Sequence, residues 1–220
     1  NQIYFKNNEV DTPVGLFQAL GTDSVVSNLS IKDFSMQLKA YHYLNSGNYI
    51  YTSTGVGSLS GFNAGLVTNS ATTGSIEFNA STKINCVQPS SNCNYYTGDF
   101  TVGGLVGYSS GNITKSSSQV QINFVDSFST NTPYHQVNIG GLVGANNGTI
   151  KQSYAKGEIT FNAGGDSLNR LVSVSIGGLV GESNSNSGVI NSYSTGKINF
   201  DCEYCAASNW SMSENSIGGL

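Results

Sequence analysis

The sequence predicts an all-β fold: a right-handed parallel β-solenoid with about two rungs per 37–46-residue repeat. Three observations predict it. The string Gly-Gly-Leu-Val-Gly occurs at Gly103–Gly107, Gly140–Gly144 and Gly177–Gly181, and starts again at Gly218–Leu220, so it recurs every 37, 37 and then 41 residues. A period of this size marks stacked units that bury a shared core. Each unit then ends on an alternating stretch, Gly157-Glu158-Ile159-Thr160-Phe161 or Gly196-Lys197-Ile198-Asn199-Phe200. Successive side chains on a strand point to opposite faces, which puts Ile159 and Phe161 on one side and Glu158 and Thr160 on the other. Finally, Ala, Leu, Glu and Lys are sparse, and no extended 3.6-residue period argues for a long helix.

The elements follow in order along each unit. The glycine pair suits a corner, because glycine adopts positive φ and lets neighbouring chains approach closely. Leu-Val after it reads as a short buried strand. Asn146-Asn147-Gly148 and Ser187-Gly188 read as turns, since Asn and Gly tolerate left-handed conformations. Ser153-Tyr154 and Ser192-Tyr193 lead into the alternating strand. One strand with one apolar face cannot bury itself, so like residues must stack over like: Ile159 over Ile122 and under Ile198, Phe161 over Phe124 and under Phe200. Solenoid coils take roughly 20–29 residues, so 37 residues predict two rungs. Five such units, at about 4.8 Å per rung, predict a rod roughly 45–50 Å long. Parallel crossovers make the coil right-handed. A β-sandwich also has short strands and Gly-rich turns, but it does not demand a near-identical motif every 37 residues.

The 220 residues divide as one array. Degenerate units cover about 12–55 and 56–101, clear units cover 102–138, 139–175 and 176–216, and another starts at 217–220. The first clear unit has Ser117 and Val120 where the next two have Tyr and Gly. The pattern of Gly-Gly-Leu-Val-Gly, a short Asn/Gly turn, Ser-Tyr, Gly and an alternating strand resembles the GLUG-motif repeat, strongly over 102–200 and weakly over 14–78. The resemblance implies an extracellular repeat scaffold of the kind found in large secreted or surface-attached, adhesin-like proteins and beside secreted peptidases. It implies no catalytic residues. The repeat-turn glycines it picks out are Gly103, Gly104, Gly107, Gly140, Gly141, Gly144, Gly177, Gly178 and Gly181.

Composition narrows the function. The chain is 38% apolar and only 10% charged, against about 45–50% and 25% in ordinary soluble domains. Small polar residues fill the difference and suit a surface of stacked turns. The 12 Tyr and 10 Phe supply burial, and the net charge of −4 is too small for a disordered chain. Nine scattered Lys and Arg form no basic stripe, which argues against nucleic acid as a partner. No apolar run is long enough to span a membrane. The chain starts without Met or a signal peptide and stops inside a motif, which reads as a piece of a longer array or a mature fragment. The partners expected are further repeats, self-association and glycans.

The four cysteines fall as close pairs, Cys86 with Cys93 and Cys202 with Cys205. Local disulfides pinning loops that leave the coil are the expected use, and they place the protein outside a reducing cytosol. A redox Cys-x-x-Cys lacks its βαβ setting here, and Cys-x6-Cys is unusual spacing for zinc. Five glycosylation sequons occur, at Asn28, Asn79, Asn112, Asn147 and Asn209. With 26 Asn and 49 Ser or Thr in the chain, about six arise by chance, so position carries more weight than number. Asn112 and Asn147 lie at the turn after the Gly-rich string, where a glycan can project.

Catalysis is not expected, and neither is a cofactor or metal. Asp99, Asp126, Glu158, Asp166, Glu182 and Asp201 fall on loops or outward strand positions and do not converge as a glycoside-cleaving pair must. Glu158 aligns with Lys197, as a solvated face would. His42 and His135 have no nucleophile pattern near them, and Arg170 is the single Arg. No Ca2+-binding string occurs, and Thr160 aligns with Asn123 and Asn199, so no ice-binding Thr ladder forms. Tyr154 and Tyr193 align and are expected to be half-buried. Tyr95-Tyr96, Tyr49-Ile50-Tyr51 and Trp210, in nonrepeating stretches, are the candidates for partner contacts. The function expected is a non-enzymatic structural module of a surface adhesin, coat or filament; the alternative is a carbohydrate-binding or carbohydrate-cleaving β-helix.

Overall fold

Ile76, Ile122, Ile159 and Ile198 lie side by side in one parallel ladder, and Phe78, Phe124, Phe161 and Phe200 form the ladder two residues on. The computed structural model describes residues 4–7, 12–44, 52–84, 98–127, 135–163, 172–202 and 216–219. Among them there is no helix, and every strand pairing is parallel. The fold is a β-solenoid of about four turns.

One turn of the coil uses four strands. In the third coil these are Gly98–Gly103, Val106–Ser109, Asn112–Thr114 and Ser117–Ser127. In the fourth they are His135–Gly140, Val143–Asn146, Thr149–Lys151 and a last strand split into Tyr154–Ala155 and Ile159–Ala163. Equivalent strands stack into four sheets, three of five strands and a fourth of eight segments. We refer to them as the first to fourth sheets in the order the chain meets them.

This corrects the rung count. Each strand pairs with its equivalent one repeat away, Ile122 with Ile159 and Ile159 with Ile198, so one repeat makes one rung and not two. The reason is the length of the perimeter. The fourth side alone takes 11 residues in the third coil, far more than the short sides of a 20-residue coil. With adjacent strands about 4.8 Å apart, the five-stranded sheets span roughly 20 Å, less than half the length expected from the sequence.

The interior is a set of columns. Burial alternates along Ser117–Ser127, with Val120, Ile122 and Phe124 inward. The phenylalanine rings stack along the axis, 4.9 Å from Phe78 to Phe124, 5.6 Å to Phe161 and 5.2 Å to Phe200. Val56, Val102, Ile139 and Ile176 line the first sheet, Val67, Ile113 and Ile150 the third, and Leu59, Leu105, Leu142 and Leu179 fill the corner between first and second sheets. Offset aromatic stacks and dry aliphatic columns together supply the hydrophobic stabilisation.

Corners are built differently from the sequence expectation. Among the described residues the only glycine in the left-handed region is Gly74, so neither the Gly-rich string nor Gly148 and Gly188 turn by positive φ. The left-handed position in each coil falls on Asn28, Asn69, Lys115, Gln152 and Asn191, just before the last strand. Next to it runs a ladder of serines. Ser70, Ser116 and Ser153 each send their backbone N–H to the hydroxyl of the equivalent serine one coil on, at 3.2, 3.1 and 3.1 Å. At the other corner Asn63 and Asn146 clamp their own turns, accepting the N–H of Gly65 at 3.1 Å and of Gly148 at 3.2 Å.

The second glycine function, close approach, does hold. A Cβ on Gly103 would lie 1.9 Å from the Val106 carbonyl oxygen, and one on Gly140 would lie 1.8 Å from that of Val143.

Candidate ligand groove between the first and second sheets

Val137 and Ile139 point into the core, so by strand alternation Gln136 and Asn138 point out of the first sheet. Asn138 is nevertheless only 2% exposed. The second sheet covers it. The turn between the two sheets is two residues long, and the chain folds back so tightly that the second sheet lies against the outer side of the first. A Cβ on Gly107 would sit 2.3 Å from the Val56 nitrogen, and one on Gly144 would sit 2.6 Å from that of Val102. The last glycine of the string is therefore demanded by a concave corner that runs along the rod.

Two columns face each other across this corner. The first sheet contributes Gly55, Thr101, Asn138 and Ser175. The second contributes Ala19, Phe62, Tyr108, Ala145 and Glu182. In the upper coils the corner is filled. Asn138 Nδ2 donates to Glu182 Oε2 at 2.6 Å, and Gln136 Nε2 donates to the same oxygen at 3.1 Å. Charge-assisted bonds of this kind close the notch with side chains of the chain itself.

In the lower coils it is open. Phe62 and Tyr108 stack with their rings 5.5 Å apart and 6° from parallel. Gly55 has no side chain to set against them, and Ala19 places no ring beneath Phe62. A cavity of about 250 Å3 results, lined by Pro13, Gly55, Gly61, Phe62 and Tyr108. The Tyr108 hydroxyl accepts a hydrogen bond from Asn147 Nδ2, and Asn147 Oδ1 accepts one from Asn184. Phe62 and Tyr108 do not recur in the repeat, and no sequence signal marked them. Only the fold-back corner puts them beside Gly55.

The structure separates the other candidate residues. Tyr154 and Tyr193 stack at 5.4 Å on the outer face of the fourth sheet, with Lys156 Nζ 5.1 Å from the centre of the Tyr154 ring. Tyr154 is half-buried, whereas Tyr193 is 48% exposed. Asp126 corrects the expectation of outward carboxylates: it is fully buried, in register with Ala80 and Ala163. Its place is fixed by strand alternation, inward after Ile122 and Phe124. Glu158 keeps to the outer face and accepts a hydrogen bond from Asn199. Asp99 is exposed and accepts the Gln136 N–H at 3.3 Å. His42 and His135 lie on strands of the fourth and first sheets. No group of three His, Cys, Asp or Glu suited to a metal ion occurs among the described residues.

Of the sequons, Asn28, Asn79 and Asn112 are exposed. Asn147 is half-buried, with its amide nitrogen on Tyr108. Cys202 ends a strand of the fourth sheet, packs against the core and is not a free thiol. Cys86, Cys93, Cys205, Asn209, Asp166, Arg170, Tyr95-Tyr96, Tyr49-Ile50-Tyr51 and Trp210 lie outside the described residues. No helix among the described residues is long and apolar enough to cross a membrane.

No curated protein and no solved structure matches the chain. Residues 135–160, which run from the first-sheet strand of the fourth coil through its Gly-rich corner and serine to the start of its last strand, match the family model described as the GLUG motif, so this coil carries a GLUG-type repeat.

Proposed function

We propose that this chain is a non-enzymatic extracellular structural module, a length of stiff rod within a surface adhesin, coat or filament protein. The observation that carries the reading is the axial bonding. Sheet ladders, aromatic columns and serine hydroxyls all run along the same direction and repeat from coil to coil. Such a stack resists bending and can be lengthened by adding coils. The outward positions of the fourth sheet, Glu77, Asn123, Thr160 and Asn199, are polar and mostly uncharged, which suits a wall that is solvated without being a substrate cleft.

Two modifications fit an extracellular setting. Disulfides Cys86–Cys93 and Cys202–Cys205 would pin the loops that leave the coil after the fourth sheet. Glycans are best placed at Asn28, Asn79 and Asn112, since one on Asn147 would have to displace its bond to Tyr108.

Surface labelling of intact producing cells with an impermeant amine reagent, combined with negative-stain imaging of the isolated parent protein, tests the proposal. Labelling of the intact cells and thin rods are expected. An unlabelled, intracellular protein forming only compact particles would overturn it.

A further inference from the structure

We propose that the open notch in the lower coils is a binding site for a neutral hexose unit of a glycan, packed against the aromatic pair Phe62 and Tyr108. This goes beyond the rod function and does not rest on it.

The argument starts from the repeat. Across the concave corner, a first-sheet residue of one coil faces a second-sheet residue of the next. In the upper coils that diagonal pair is Asn138 with Glu182, joined at 2.6 Å. One repeat lower it is Thr101 with Ala145, and lower again Gly55 with Tyr108. Only the last pair sets a glycine against an aromatic ring, and there the cavity lies.

The walls define the occupant. Two stacked rings, a proline and two glycines line a mostly apolar pocket of about 250 Å3. None of the five lining residues is charged, so nothing there selects a phosphate or a carboxylate. The rim is polar. The Tyr108 hydroxyl accepts from Asn147 and so keeps its own proton to donate. A pyranose ring has this combination, C–H groups on one face and hydroxyls around the edge. An aromatic side chain would fill the slot but leave the polar rim unused.

The test is titration of the whole chain with neutral hexaoses of glucose, mannose and galactose, read by saturation-transfer NMR and by amide shifts at Gly55 and Gly61. Phe62→Ala is the main variant, because Ala19 and Ala145 already occupy that column and the backbone accepts the change. Tyr108→Phe keeps the ring and removes the hydroxyl. At least one hexaose is expected to bind at roughly millimolar to submillimolar strength, as suits one ring in a shallow slot. Phe62→Ala should weaken it at least about tenfold and Tyr108→Phe several-fold. Binding unchanged in both variants, no binding of any hexaose to the native chain, or preference for tyrosine amide over all three sugars would each overturn the proposal. Shifts confined to Tyr154 and Tyr193 would also overturn it, by placing the sugar on the other aromatic pair.

Discussion

The hydroxyl of Ser153 accepts the backbone N–H of Ser116 from the preceding coil at 3.1 Å and donates to the carbonyl of Lys151 in its own coil at 2.9 Å. Ser116 does the same one coil below, toward Ser70 and Thr114. At this corner the chain leaves the left-handed residue, Lys115 or Gln152. The serine oxygen takes the amide across the coil boundary, where a side-chain acceptor satisfies a buried donor. Replacing Ser153 by Ala leaves the Ser116 N–H buried without that acceptor. We expect a loss of about 1–3 kcal/mol in urea unfolding, and less for Ser192→Ala in the more exposed last coil.

The glycines of the repeated string are required by contact and not by φ. Gly140→Ala would place its Cβ 1.8 Å from the Val143 carbonyl oxygen, backbone that cannot move alone. Gly188→Ala meets nothing nearer than Thr149 Cγ2 at 3.8 Å. The first should cost about 3 kcal/mol or more, and the second should leave the thermal midpoint nearly unchanged. Differential scanning calorimetry of the pair distinguishes a packing demand from a general cost of losing glycine.

Ser60 has a buried hydroxyl with no hydrogen-bond partner among the described residues. Its column holds Val106, Val143 and Val180 in the coils above. Ser60→Ala removes a polar group that gains nothing from its place. It should raise stability by about 1 kcal/mol, seen as a higher urea midpoint with an unchanged m-value.

Phe124 sits between Phe78 and Phe161 in the aromatic column and is fully buried. Truncation to Ala opens a cavity in the middle of the rod, with an expected cost of about 3–5 kcal/mol. Phe200→Ala, in the last coil and only half-buried, should cost clearly less. Equal losses at the two positions would speak against a column whose interior rings are packed on both faces.

Much of this was legible in the sequence because periodicity is a direct record of stacking. Ile122, Ile159 and Ile198 align in the text and align in space. The rung count was not legible, since the spacing fixes how many residues separate equivalent strands but not how many sides the coil has. The corner chemistry was hidden for a related reason. Left-handed Lys115 and Gln152 carry no turn signature, and the serines beside them looked like companions of the tyrosine. Charge alone places Asp126 outward, whereas the alternation from Ile122 and Phe124 puts it inward. The aromatic notch lay furthest from view. Phe62 and Tyr108 become neighbours of Gly55 only when the two sheets fold back on one another, a tertiary consequence that no local pattern encodes.

One coil per repeat is the claim on which the rest stands, and a distance along the axis measures it. Asn79 and Asp201 are exposed, occupy the same outward column of the fourth sheet and are separated by Val125 and Asn162, hence by three coil spacings. Nitroxide labels at Asn79→Cys and Asp201→Cys, attached with the native cysteines replaced and read by pulsed dipolar spectroscopy, should give a narrow distribution near 15 Å. A distribution centred near 30 Å would mean two rungs in each repeat and would contradict the account.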